Sequence, residues 1–310
     1  MRLTSPLHLT ADTVIESNAS GGVNAIALKN PIGGPMQVHQ IKFQLTATLL
    51  SGQDSGALGS LGGVIGASIS IGNHPLTNGF VPVWLFGRPN NVVNGGEDFV
   101  DVQTGEERSI SEYVWNLPRP MYVPDGATIT PSFQHRGLIK NQVAVRMSVS
   151  AKSYGLDAPD PEKIFIPYVS SYVSKNFIAN DEDTDQSLET DLVNTFPKPL
   201  FLQRFTGRTQ LFNSATGAVT DLDPTSSLNI LSVRMADSNG RAIVPTYTVF
   251  GNVFSYATRS WDLDGRAQMD PNAYYRVFLR KTTSPESSYN AADTVQAFVG
   301  CVGWREVEDV

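Results

Sequence analysis

The strongest constraint in this sequence is a period of two. Val143-Ala144-Val145-Arg146-Met147-Ser148-Val149-Ser150 alternates apolar with small or polar side chains. Successive side chains of an extended strand point to opposite faces, so this pattern predicts a half-buried β-strand. From Ile41 the same alternation runs through Phe43, Leu45 and Ala47 within Val38–Leu50. Further strands are expected at Asn24–Leu28, Ala67–Ile71, Val81–Phe86, Tyr113–Trp115, Thr128–Phe133 and Val143–Ala151. In the second half they are expected at Leu200–Arg204, Leu228–Met235, Val244–Phe250, Ala273–Arg280 and Thr294–Trp304. Helical periodicity is nearly absent, and the fold class read from this is all-β.

Punctuation divides the chain. Lys152-Ser153-Tyr154-Gly155-Leu156-Asp157-Ala158-Pro159-Asp160-Pro161 breaks any continuing strand, because Gly and Pro interrupt extended ladders. The expected domains are therefore 1–155 and 156–310, each long enough to bury a core. The polar stretch Asn180–Asp191 reads as a loop or a short helix. Ser51–Gly63, Arg88–Glu107, Ser214–Ser227 and Thr282–Ala292 read as long loops, a habit of sandwiches whose connections carry contacts.

The halves echo each other. Pro35-Met36-Gln37-Val38-His39-Gln40-Ile41-Lys42-Phe43 opens a long strand, and Pro199-Leu200-Phe201-Leu202-Gln203-Arg204-Phe205 opens its counterpart. Leu117 to Ile129, with Val123-Pro124-Asp125-Gly126 inside it, leads through a tight turn into a strand. Gln268-Met269-Asp270-Pro271-Asn272-Ala273-Tyr274-Tyr275 does the same, with Pro124 matched to Pro271. Pro presets φ for such a turn, and Asp or Asn tolerates the angles that follow. Eight or so strands per half with long connections suit a jelly roll, two four-stranded sheets face to face.

Two jelly rolls in tandem resemble the double jelly-roll major capsid proteins of tailless, membrane-containing bacteriophages and the adenovirus-like lineage. The resemblance spans the whole chain and is architectural. It implies a homotrimeric, pseudo-hexagonal tile that assembles into an icosahedral shell. The implied partners are further copies of the chain, neighbouring capsomers, penton or minor capsid proteins and an internal membrane. The implied location is the virion, after synthesis in a host cytoplasm. The alternative reading is a spike or fibre module that binds a receptor or glycan, and a third class is a carbohydrate-active enzyme.

Charge narrows the partners. Residues 1–155 hold 10 basic and 10 acidic side chains, which leaves 13 basic and 20 acidic in 156–310 and the whole net charge of −7. Such a balance has no footprint for wrapping phosphate backbone, so no direct nucleic-acid partner is expected. Met1-Arg2-Leu3-Thr4-Ser5-Pro6 does not read as a secretory signal, and no apolar run is long enough to cross a bilayer as a helix. Cys301 has no second cysteine to pair with and reads as a small core residue.

Residues with chemistry are sparse. His8, His39, His74 and His135 have no metal-ligand spacing, and each reads as a surface or loop residue. Gly59-Ser60-Leu61-Gly62-Gly63-Val64-Ile65-Gly66 lacks the lysine and helix of a phosphate cradle. Glu97 with Asp98, Glu106 with Glu107, and Asp262 with Asp264 are the carboxylate pairs a glycosidase could use, but they fall in polar stretches, and no catalytic residue is assigned. Asp181, Asp183 and Asp185 in Asp181-Glu182-Asp183-Thr184-Asp185 form the candidate metal site, for Ca²⁺, which favours several hard oxygens. An EF-hand is excluded there, since Gln186 and Leu192 stand where Gly and Glu are required, and a solvated acidic loop is the competing reading. No other cofactor is expected. Tyr274 and Tyr275, adjacent in a strand, should face opposite sides.

Overall fold

The structure is a computed structural model that describes residues 5–16, 23–31, 33–50, 61–89, 97–100, 107–136, 140–153, 164–173, 177–178, 187–213, 219–221, 231–254, 260–281 and 293–308. The chain forms two compact units. The first runs to Val169 and takes up the chain again from Trp304, and the second spans Ser170–Gly303. The expected junction at 155/156 falls outside the described residues.

The first unit contains β1 (Ser5–Ile15), β2 (Val23–Ala25), β3 (Leu28–Lys29), β4 (Met36–Thr48), β5 (Ile65–Ile71), β6 (His74–Pro75), β7 (Val81–Pro82), β8 (Arg88–Pro89), β9 (Glu97–Val100), β10 (Glu107–Val123), β11 (Thr128–His135) and β12 (Val143–Ser153). One sheet has the order β1-β12-β4-β10-β8, and the other β2-β11-β5-β6, with β3 also on β11. The described pairings between these strands are antiparallel. The chain therefore changes sheet between β1 and β2, β3 and β4, β4 and β5, β7 and β8, β10 and β11, and β11 and β12, which is jelly-roll winding.

The second unit repeats it with β13 (Ile164–Val173), β14 (Phe177–Ile178), β15 (Ser187–Val193), β16 (Leu200–Phe212), β17 (Val219–Asp221), β18 (Leu231–Asp237), β19 (Ala242–Val249), β20 (Ser260–Met269), β21 (Tyr274–Lys281) and β22 (Thr294–Val307). Its sheets are β13-β22-β16-β17, with β20 also on β16, and β15-β21-β18-β19. The long strands β13 and β22 each run across the division between the units.

Alternation explains the packing. In β4 the residues Met36, Val38, Ile41, Phe43, Leu45 and Ala47 are all buried, and between them lie half-buried polar side chains. The Phe43 ring meets Phe133 of β11 edge-on at 6.3 Å and Phe86 at 5.1 Å, so the two sheets pack face to face on aromatic contacts. In the second unit Phe205 of β16 does the same with Tyr275 of β21, at 5.0 Å.

Several expectations are corrected. Val81–Phe86 is a strand only over Val81–Pro82, and Val83–Leu85 is a 3₁₀ turn closed by Phe86 N–H on the Val83 carbonyl. Pro82 has no N–H with which to extend the ladder, and the apolar run Val81–Phe86 is buried throughout. Val244–Phe250 ends at Val249, and Phe250 opens the short α2 (Phe250–Val253), where Phe250 and Phe254 stack at 4.7 Å. Within Asn180–Asp191, residues from Ser187 onward form β15 rather than a loop or helix. Leu117–Ile129 leads through the turn at Pro124–Ala127 into β11 as expected, and Leu117–Pro120 adds an irregularity inside β10, where the register with β4 jumps between Asn116 and Met121. At the head of β5, α1 (Leu61–Val64) is fully buried.

Candidate assembly surfaces

The two units share a device that fixes one end of each sandwich. Asn30 lies five residues before Pro35, where β4 begins, and Asn194 five before Pro199, where β16 begins. Both are buried, at 3% and 0% exposure. The Asn30 amide donates to the carbonyls of Gly34 at 2.6 Å and Pro124 at 3.5 Å, and its backbone N–H donates to Ala127. Around the Asn194 amide stand the carbonyls of Lys198 (3.1 Å), Met269 (2.9 Å) and Asp270 (3.2 Å), and its backbone N–H donates to Ala273. Each asparagine thus ties the start of one strand to the turn between two others. These matching contacts align Pro124 with Asp270 and Ala127 with Ala273, one residue off the alignment of Pro124 with Pro271 read from sequence.

On that frame, the outer face of β1-β12-β4-β10 is a ladder of cross-strand rows. His8–Ser150–Gln40–Asn116, Thr10–Ser148–Lys42–Val114 and Asp12–Arg146–Gln44–Glu112 follow one another across the four strands. They are stitched by Gln40 to Asn116 at 2.8 Å, Lys42 to Glu112 at 2.6 Å, and a two-point Arg146–Asp12 pair at 2.7 and 3.2 Å. The next row, Val14–Ala144–Thr46–Ile110, is apolar or small. Short side chains at its centre leave an open groove of about 460 Å³, bordered by Asp12, Gln44, Arg108 and Arg146. Val14 is 51% exposed beside it.

The outer face of β15-β21-β18-β19 has another chemistry. Tyr274, Arg276, Phe278 and Arg280 alternate along β21 onto this face. Arg276 pairs with Glu189 at 2.8 Å and with Asp191 at 2.9 and 3.2 Å. Arg234 lies 4.0 Å over the Phe278 ring and 5.9 Å from Tyr247, and Arg280 is 5.7 Å from Tyr247. Tyr247 itself is 40% exposed. Cations stacked on ring faces gain from the ring quadrupole and stay extended.

Among the described residues, no three of the acids, histidines or cysteine singled out for chemistry gather into a metal-ligating cluster. Asp181, Asp183, Asp185 and Glu106 lie outside the described residues. Glu97 and Asp98 are on β9, Glu107 opens β10, and Asp262 and Asp264 are on β20, where Asp262 is exposed. His8 is exposed, and His39 and His74 are half-buried. His135 corrects the expectation of a surface or loop residue. It is 1% exposed at the end of β11, and its Nε2–H donates to the Asn141 carbonyl at 3.2 Å. Burial holds its pKa below the ordinary value, partly opposed by that hydrogen bond. Cys301 is buried, and desolvation pushes its thiol up to about 12, so it is an inert core residue. Tyr275 turns inward onto Phe205, and Tyr274 carries Arg276 on the outer face.

No family model matches the sequence, and no curated protein does. Solved structures do. The chain is similar to PBCV-1 Vp54, as fitted into a cryo-EM reconstruction of the virophage Sputnik, with TM-score 0.55 and 10% identity over 99% of this chain and 96% of that one. It is also similar to a chain of Sulfolobus turreted icosahedral virus, with TM-score 0.51 and 13% identity over 96% of this chain and 90% of that one. The chain has the double jelly-roll fold. At such identities the likeness is one of winding and layer order, and the double jelly roll supplies the frame on which the two ladders stand.

Proposed function

We propose that this double jelly-roll chain is a major capsid protein, a homotrimeric pseudo-hexagonal tile that assembles into an icosahedral virion shell. The observation that carries the reading is the fold match over at least nine-tenths of both chains to a component of an icosahedral virus. The described sheet faces support it, since they carry packing and pairing chemistry in cross-strand rows. The tile is no enzyme. Its partners are further copies of itself, neighbouring capsomers, penton or minor capsid proteins and an internal membrane. Nucleic acid is no direct partner, in keeping with the net charge of −7. It is made in the host cytoplasm and resides in the virion. Asp181, Asp183 and Asp185 would take Ca²⁺, the one ion proposed.

Negative-stain microscopy and sedimentation of the purified protein test this. Trimers that close into shells or hexagonal sheets are expected. A stable folded monomer at micromolar concentration, a discrete oligomer that binds a glycan and forms no shell, or turnover of a polysaccharide would each overturn it.

A further inference from the structure

Every residue of β4 but one has a cross-strand partner. Opposite β12, Val38 faces Ala151 and Gln40 faces Ser150, so His39 is an extra residue between two consecutive partners, a β-bulge. Opposite β10, Val38 faces Met121 and Gln40 faces Asn116, with residues 117–120 between them. Pro118 and Pro120 have no N–H to give to a ladder there. His39 is thus the one residue of β4 paired on neither side. Val38 and Ile41 are buried inward, which leaves His39 and Gln40 together, half-buried, on the outer side.

We propose that this double interruption is an acid-sensitive release point: protonation of His39 unseats it from the bulge and loosens β4 from β10 at residues 117–120.

The ring sits where a proton is unwelcome. Its Nε2 is buried and meets no hydrogen-bond partner. An imidazolium carries a donor on each ring nitrogen, so protonation would leave a charged N–H dry and without an acceptor. Burial holds the His39 pKa below its ordinary value, Lys152 on β12 pushes it the same way, and no carboxylate opposes them. The other titratable or charged groups at this end of the face are His8 of β1, beyond Ser150, and Tyr122 and Arg119 of β10. None of them is a carboxylate. Asp12 and Glu112 stand two rows farther along and are paired with Arg146 and Lys42.

Once the bulge opens, the ring returns to water and to its ordinary value of 6.5. Between that value and the lower one of the closed state, the open form binds more protons. Opening is therefore favoured as pH falls through about 6.5, and the gain levels off once the closed form is protonated too. Arg119, within the loosened segment, lies 4.5 Å over the Phe165 ring and 5.4 Å from Trp304, both in the first unit. That stacking needs no proton on His39, so it tethers the segment and keeps the opening local.

Hydrogen–deuterium exchange of the full chain at about pH 7.5 and about pH 5, corrected for the intrinsic pH dependence of exchange, tests this. In the wild type, protection at 36–43 and 115–123 should fall about threefold or more on acidification, with little change at 10–15 and 143–148. His39→Gln should hold its protection across the same range. Lys152→Glu, which offers the imidazolium a counter-charge from an exposed position, should remove most of the loss. Circular dichroism confirms folding, and Lys152→Glu alone carries the test if His39→Gln is misfolded. Wild-type protection at 36–43 and 115–123 that does not change with pH would overturn the proposal. So would an equal loss in His39→Gln. A loss confined to 131–136 would overturn it as well, because it would assign the acid response to the buried His135 at the end of β11.

Discussion

Strands β4 and β16 hold the same place in the two units, and each runs 13 residues from a proline. Their burial differs. β4 keeps one dry face and one wetter face, with Phe43 and Leu45 inward and Lys42, Gln44 and Thr46 outward and half-buried. β16 keeps its alternation to Leu202, where the register with β20 shifts, and beyond that every residue from Arg204 to Gln210 is buried. The partners follow suit: β12 leaves Ala144 and Arg146 exposed, while β22 is buried from Ala297 through Trp304. The inward face of each strand is set by its own alternation, but whether its outer face is dry is set by what lies beyond the sheet. The buried polar row on β16 keeps guanidinium groups out of water, a condition that requires hydrogen-bonded company.

That contrast predicts the largest effect. Arg208→Ala should lower unfolding stability by about 3 kcal/mol or more, because it empties a buried site and strands the groups that met the guanidinium. Arg146→Ala, the outward arginine of the first unit, should leave the urea midpoint where it was, since its pair with Asp12 is exposed on both sides. Equal midpoints for the two variants would erase the distinction between the sheets.

The asparagine clamps give an intermediate effect and sharpen the equivalence. Asn194→Ala should cost about 3 kcal/mol and Asn30→Ala about 2, because each strands buried carbonyls at roughly 1 kcal/mol or more apiece. The second-unit clamp has more to lose. It faces three carbonyls, and its side-chain oxygen also accepts from Phe196 N–H at 3.0 Å. Paired urea titrations decide it, and a larger loss at Asn30 would mean that the two clamps are not counterparts.

What sequence could show follows from the same physics. Val143–Ala151 and the strand from Val38 are legible because one face is wet, so polarity marks every second residue. β1 is harder to see, because its inward positions include Ala11 and Thr13 while Val14 points out. β15 hides behind Glu189 and Asp191, which look like loop carboxylates until Arg276 of β21 is placed beside them. β20 hides likewise behind Asp262, Asp264 and Gly265. The clamps were within reach, since an asparagine stands five residues before the strand-opening proline in both halves. The ladders on the outer faces were not, because their rows draw on strands more than a hundred residues apart, as with Asp12 and Arg146.

The smallest effect tests the repeat at one backbone angle. The turn from β10 to β11 closes with Ala127 N–H on the Pro124 carbonyl at 3.3 Å, and the turn from β20 to β21 with Ala273 N–H on Asp270 at 3.0 Å. The third residue of each is left-handed, Gly126 at φ 73° and Asn272 at φ 62°, and Asn272 is the one non-glycine with positive φ among the described residues. Asparagine tolerates that region better than other side chains, and glycine does so freely. No atom lies within 4 Å of where a Cβ on Gly126 would sit, so any penalty there comes from the backbone alone. Exchanging the two residues, Gly126→Asn with Asn272→Gly, should therefore change stability by no more than about 0.5 kcal/mol, strain relief at one turn offsetting strain at the other. Gly126→Ala and Asn272→Ala should each cost about 1 kcal/mol, and Val at either place more, because a branched Cβ crowds the left-handed carbonyl. If Ala is tolerated at 272 but not at 126, the turns differ in backbone geometry, and the one-residue realignment that pairs Pro124 with Asp270 fails with them.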